Sequence, residues 1–249
     1  LSADRSDMQH AAKEVCRWMS TPAEAALVAL KRLGIYLLGH ARLVCKYVFQ
    51  EASMIDCYSD TDWAGCPKTR KSTSGGCVML GSHCVKHWSP TQTSIALSSG
   101  EAEFAGVLRG AGQGLGYQAL LKYLGVVVPL RVWTYSSAAI GICNRQGLGK
   151  LRHLDTHTLW IQQAVRPGRV DLRKVLGEEN PADLLTKHSL TRQRLEGIIP
   201  LFGCRYLGGR AASPPQMRKG ESSRVTMADA SCEPEDDEVA GLQEETSPC

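Results

Sequence analysis

Apolar positions change period several times along the chain, and each change predicts an element. Met8, Ala12, Val15 and Met19 recur at helical spacing behind Ser6-x-x-Gln9, a capping-box pattern, which predicts a short amphipathic helix over 6–19. A second helix is predicted from Thr21 as N-cap, Pro22 at the first helical position and Glu24 three residues on. Leu27, Leu30, Leu33 and Leu37 line one face until Gly39 stops it. From Leu43 the period becomes two. Leu43, Cys45, Tyr47 and Phe49 alternate with Val44, Lys46 and Val48, and strand-like runs follow at about 54–60, 73–80 and 83–88, with Gly65, Gly75-Gly76 and Gly81-Ser82 read as turns between them.

Residues 99–124 read as a helix through Ala102, Ala105, Leu108, Leu115 and Leu120, against the helix-weakening effect of Gly106, Gly110, Gly112, Gly114 and Gly116. Leu130–Thr134 predicts a buried strand, Ser137–Asn144 and Asp155–Val165 two helices, and Val170–Leu176 another strand. Pro181 opens a helix to Lys187, and 191–203 adds a last one. Hairpin strands first and a crossover helix later predict an α/β chain with a mixed sheet covered by helices. Beyond Gly208 the chain is rich in Pro, Ser and Glu and too poor in apolar surface to offset ordering entropy, so disorder is expected.

With 249 residues and 43% hydrophobic content, there is material for one good core plus appendages, and no apolar run is long enough to cross a bilayer. Ser2-Ala3-Asp4-Arg5 gives no sign of a signal peptide, and a piece of a longer polypeptide is expected. The net charge of +4 conceals an asymmetry: residues 229–249 hold eight acids and no Lys or Arg, leaving 29 basic residues against 17 acids upstream. That balance suits a polyanionic partner as well as a merely solvated basic surface. Ten cysteines without a C-x-x-C pair read as buried free thiols, and Cys77, His83, Cys84 and His87 match no common zinc spacing.

Candidate chemistry lies in three dispersed acids. Asp60 closes a predicted strand, Glu103 sits in the first turns of a helix, and Asp183 follows Pro181 at the start of a late one. Hydrolysis of a phosphodiester by two Mg²⁺ ions requires carboxylates from distant parts of a chain to meet at one sheet edge, and these three acids are placed to do so. Asp183 has a plainer reading too, since an acid in the first turn after Pro181 stabilises a helix without any metal.

The segments Tyr58-Ser59-Asp60-Thr61-Asp62-Trp63-Ala64-Gly65, Arg70-Lys71-Ser72-Thr73-Ser74-Gly75-Gly76, Ala96-Leu97-Ser98-Ser99 with Glu101-Ala102-Glu103-Phe104, Arg152-His153-Leu154-Asp155 and Asn180-Pro181-Ala182-Asp183-Leu184-Leu185-Thr186-Lys187 occur in that order. On these segments the chain resembles the ribonuclease H domain of copia-type retrotransposon Pol polyproteins. Residues 4–40, with Asp7-Met8-Gln9 and Ala29-Leu30-Lys31-Arg32-Leu33, resemble the end of the reverse transcriptase that precedes it.

The resemblance implies a ribonuclease H-like mixed five-stranded sheet with flanking helices, preceded by a small helical segment and followed by a disordered tail. Its divisions are 1–42, the C-terminal segment of the reverse transcriptase; 43–190, the ribonuclease H-like domain; 191–207, a terminal helix; and 208–249, an acidic tail. It implies an intracellular endonuclease that cuts the RNA strand of an RNA–DNA hybrid with two Mg²⁺ ions, or Mn²⁺, and works beside a reverse transcriptase. Asp60, Glu103 and Asp183 take the role of metal ligands, Asp60 in preference to Asp62 and Glu103 in preference to Glu101. His153 is carried over as an assisting group as readily as a surface one, and Arg70, Lys71, Arg145, Lys150 and Arg152 as phosphate contacts. Trp63 and Trp88 are read as core. The departure is Tyr135, which stands where the family has a fourth aspartate; a neutral, bulky phenol there implies weakened or lost cleavage, and a non-catalytic nucleic-acid-binding or polymerase-supporting module is the alternative.

Overall fold

The computed structural model describes residues 4–51, 53–149 and 151–209. The expectation of a disordered acidic tail falls almost wholly on residues 210–249, outside the described part. In chain order the described elements are α1 (Gln9–Cys16), α2 (Glu24–Gly39), β1 (Arg42–Cys45), β2 (Ile55–Asp62), β3 (Thr73–Leu80), β4 (His83–Trp88), α3 (Ser99–Tyr123), β5 (Leu130–Thr134), α4 (Ser137–Asn144), α5 (Trp160–Val165), β6 (Asp171–Lys174), α6 (Arg192–Ile198) and β7 (Cys204–Leu207).

Five strands form one mixed sheet in the order β4-β3-β2-β5-β6. β2, β3 and β4 run antiparallel as successive hairpin strands, and β5 and β6 join parallel to β2 after helical crossovers. This is the ribonuclease H-like mixed five-stranded sheet with flanking helices that the motifs imply. α3 lies along β2 and β5. Cys57, Val107, Ala111, Leu130 and Val132 interlock there, all buried, and form the main core. A second apolar cluster, with Cys77, Met79, Leu184, Leu185, Ile198 and Phe202, packs α6 and the 181–185 turn onto β3. Burial of this kind stabilises by roughly 25 cal/mol per Å² of apolar surface, so the two clusters fix both faces of β2 and β3.

Several local expectations are corrected. Gly75-Gly76 is no turn but lies inside β3. A Cβ on Gly75 would come within 2.5 Å of Thr186 and one on Gly76 within 2.4 Å of Trp88, so these glycines allow close approach. α2 begins at Glu24 with Ala23 at its N-cap and no side-chain cap, and Leu27 and Leu30 on it are exposed, while Ala26 is buried. The first helix starts as a 3-10 turn, Ser6–Met8, without a side-chain cap from Ser6. Strand pairing ends at Cys45 and does not run to Phe49. The 155–165 helix opens with a 3-10 turn, Thr156–Leu159, ahead of α5, and the 181–187 helix is 3-10 over Pro181–Leu185.

β7 was not anticipated. It pairs antiparallel with β1 in a separate two-stranded sheet, where Cys45 and Cys204 are joined as a disulfide, contrary to the expectation of free thiols throughout. No helix among the described residues is long and apolar enough to cross a membrane.

Candidate active site

β2 delivers Asp60 to the rim of the sheet, fully buried, directly opposite Gly75 of β3. Because Gly75 lacks a side chain, the Pro181–Leu185 turn can lie against the strand at this point. Asn180 anchors it, with its side-chain amide donating to the Ser59 carbonyl at 3.1 Å and its side-chain oxygen accepting from Ala182 N at 3.1 Å. The turn presents Asp183 and Thr186, whose hydroxyl donates to Asp60 Oδ2. From the other side α3 approaches over Gly106, where a Cβ would meet Thr61 at 2.7 Å, and Glu103 accepts from Thr61 N at 3.3 Å.

Sequence motifs separated by more than a hundred residues thus meet around Asp60. Glu103 is 3% exposed, and burial first, then the Asp60 carboxylate, push its pKa up to about 7. Burial and Asp60 also raise Asp183, against the lowering effect of Arg194 and Lys187. Tyr135, just beyond β5, lies beside the same acids. Burial and the charges of Asp60 and Glu103 drive its phenol far above the ordinary tyrosine range, so it is neutral.

Two cations close the other side of the rim. Lys187 Nζ lies 3.2 Å from Asp60 Oδ2, 3.9 Å from Asp183 Oδ1 and 5.9 Å from the centre of the Tyr135 ring. Burial lowers its pKa, but Asp60 and Asp183 outweigh that and raise it overall. Arg194 of α6 holds Asp183 Oδ2 at 3.0 Å and donates to the carbonyls of Gly177 and Glu178. A cavity of about 440 Å³ opens here, lined by Tyr135, Gly177, Glu178, Asp183, Lys187 and Arg194.

The fit of this set to divalent cations can be judged from its oxygens. Asp60 Oδ1 and Glu103 Oε2 are buried without a well-formed hydrogen bond, although the Tyr135 phenol interacts with both acids, and a hard cation would satisfy these oxygens. The Asp183 oxygens instead face Lys187 and Arg194, and among the described residues no three His, Cys, Asp or Glu side chains group closely enough to hold a metal. The residues suit one cation at Asp60 and Glu103 and do not suit a pair.

The remaining expected residues lie apart. His153 pairs with Glu101 Oε2 at 3.0 Å. Glu101 also accepts from Leu97 N, while Ser98 Oγ accepts from Glu101 N, an arrangement that caps the start of α3. Asp62 faces His188 at 3.1 Å. Arg70 and Lys71 lie on the loop after β2, Arg70 exposed. Arg152 is exposed beyond α4, and Arg145 is half-buried and donates to the Leu148 carbonyl of its own loop. Lys150 lies outside the described residues. Trp88 is core, but Trp63 is half exposed with its indole N–H on the Ala96 carbonyl. Thr186, Lys187 and Arg194 were not anticipated as members of the site. An i, i+4 spacing from Asp183 marks Lys187 in the sequence, whereas nothing local marks Arg194.

The chain is 29% identical over 206 residues to the retrovirus-related Pol polyprotein from transposon RE1 of Arabidopsis thaliana, a match covering 82% of this chain and 14% of that protein. The chain is a homologue of retrovirus-related transposon Pol polyproteins. Over 201 residues, 80% of its length, this Pol homologue is also 28% identical to the Pol polyprotein from transposon TNT 1-94 of Nicotiana tabacum, again 15% of the relative. It therefore spans about one seventh of the length of these relatives. No family profile matches it. Among solved structures, LC11-RNase H1, isolated from compost by a metagenomic approach, is 14% identical with a TM-score of 0.40, covering 53% of this chain and 92% of that one.

Proposed function

We propose that this Pol homologue is the ribonuclease H portion of a copia-type element, with the end of the reverse transcriptase at 1–42, and that it engages RNA–DNA hybrid inside the cell with its own cleavage impaired by Tyr135. The observation that carries this reading is the meeting of Asp60, Glu103 and Asp183 at one sheet rim with the Tyr135 phenol beside them. A divalent ion at Asp60 and Glu103 would neutralise charge on the scissile phosphate and lower the pKa of an attacking water. The chain's own part is to hold those two carboxylates against β2, through Thr61 N and Thr186, and to set Lys187 and Arg194 beside the cavity as phosphate-facing cations. Hybrid recognition by backbone and 2′-hydroxyl contacts accords with the basic excess upstream of residue 229.

The test compares nicking of a labelled RNA–DNA hybrid by the native chain and by Tyr135→Asp in Mg²⁺. The variant is expected to cut at least ~100-fold faster, the scale of one well-placed charge-stabilising group. Equal rates in two folded proteins would refute the impairment, and no nicking by the folded variant would refute the site. A second reading, a module that binds hybrid without cutting it, is favoured by the Lys187–Asp60 pair at 3.2 Å. It predicts a gel shift with no nicking from either protein.

A further inference from the structure

The acidic rim already contains a positive charge where its carboxylates come together. Lys187 Nζ reaches Asp60 and Asp183 at once and lies near the Tyr135 ring, and Arg194 holds the far oxygen of Asp183. Asp183, Lys187 and Arg194 share the wall of one cavity, while Asp60, fully buried, is reached by Lys187. A fully buried carboxylate such as Asp60 is costly without a partner, and without Lys187 it would keep neutral hydroxyl partners such as Thr186 but no counter-charge against Asp183. A divalent ion bridging these two acids would have to displace the ammonium, which is tethered to the same turn as Asp183.

We propose that Lys187 is a built-in counter-ion that takes the place of a divalent cation between Asp60 and Asp183. The folded rim then needs no metal, and nucleic-acid phosphate can approach it against Lys187 and Arg194 in metal-free solution. This rests on the reading of the rim as a site inherited from a metal-dependent nuclease. Lys187 is a positioning residue here: it fixes two acids and offsets their repulsion of a phosphate, and it takes part in no bond-breaking step. Tyr135 belongs to the same arrangement, because a fourth carboxylate in its place would restore the negative charge that a second ion requires.

The full chain and Lys187→Gln are compared in EDTA and in millimolar Mg²⁺ by thermal melting and by titration of a fluorescent RNA–DNA hybrid. The native chain, which keeps only the Asp60–Glu103 position for an ion, should gain less than ~2 °C from Mg²⁺ and bind hybrid within about twofold in the two buffers. Lys187→Gln should melt ~3 °C or more lower in EDTA and recover in Mg²⁺. Its hybrid affinity should fall ~10-fold in EDTA and rise again with the metal. Stabilisation of the native chain by several degrees in Mg²⁺, or a folded Lys187→Gln with no response to Mg²⁺, would overturn the proposal. Should the variant not fold, the native melts alone decide it. If the native chain binds no hybrid in either buffer, the hybrid reading fails, while the melting comparison still settles the role of Lys187.

Discussion

Glu103 shows how one side chain records its surroundings. Burial and the neighbouring Asp60 raise its pKa from 4.5 to about 7, so between those values the folded chain binds a proton that the unfolded chain has released. Stability from this group therefore falls as pH rises through that window, by ~3 kcal/mol in all for a shift of this size at a 3% exposed side chain. Asp183, also raised, adds to the fall, whereas His10, lowered to about 4 chiefly by burial, opposes it at the acid end. The difference between native and Glu103→Gln isolates the group: the variant should gain stability relative to the native chain from pH 5 to pH 8. Parallel pH profiles in chemical denaturation would show that Glu103 keeps an ordinary pKa.

At this scale the acids were legible because each lies in a spaced motif. Asp60 acts electrostatically on both Glu103 and Asp183, but Lys187 acquires its role only when the turn lands opposite Gly75, and Arg194 only when α6 folds back. Those are consequences of tertiary placement, and no local pattern announces them.

Among the elements, α3 is the clearest case of a misleading signal with a physical cause. Its glycines weaken helix propensity, yet it runs unbroken from Ser99 to Tyr123 because some of them serve packing. A Cβ on Gly114 would meet Leu130 at 2.4 Å and Cys57 Sγ at 2.7 Å, whereas Gly116 faces open space. Gly114→Ala should cost ~1–3 kcal/mol through overpacking, and Gly116→Ala should add ~0.5–1 kcal/mol through propensity alone. Urea unfolding of the two variants checks this, and equal shifts would mean that α3 is not seated on β2 and β5 as described. The same ambiguity explains Gly75-Gly76: in sequence, glycine marks a turn and a close approach alike. Strands β2 to β6 were legible from their periodicity, but β7, four residues pairing with a strand far upstream, carries too short a pattern to announce its partner.

For the molecule as a whole, the β1–β7 pair ties the segment before the main sheet to the one after it. The Cys45–Cys204 bond closes a separation of 159 residues. In the chain-entropy picture a loop of that size is worth up to ~5 kcal/mol. Adding reductant to oxidised protein should lower the melting temperature by ~10 °C or more, and Cys45→Ala should melt at the reduced value in both states. Superimposable melts of native protein with and without reductant would mean that the two thiols stay open in solution.

The position of Tyr135 has a genetic consequence. Every tyrosine codon becomes an aspartate codon through one change in its first base, so under the proposed reading the chain stands a single nucleotide from a full complement of four acids. The scaffold around that position is intact: β5 still pairs with β2, Asn180 still anchors the late turn to Ser59, and α3 still brings Glu103 to Thr61. Reversion would therefore find its framework already assembled, with Lys187 and Arg194 as the residents that a returning ion would have to evict.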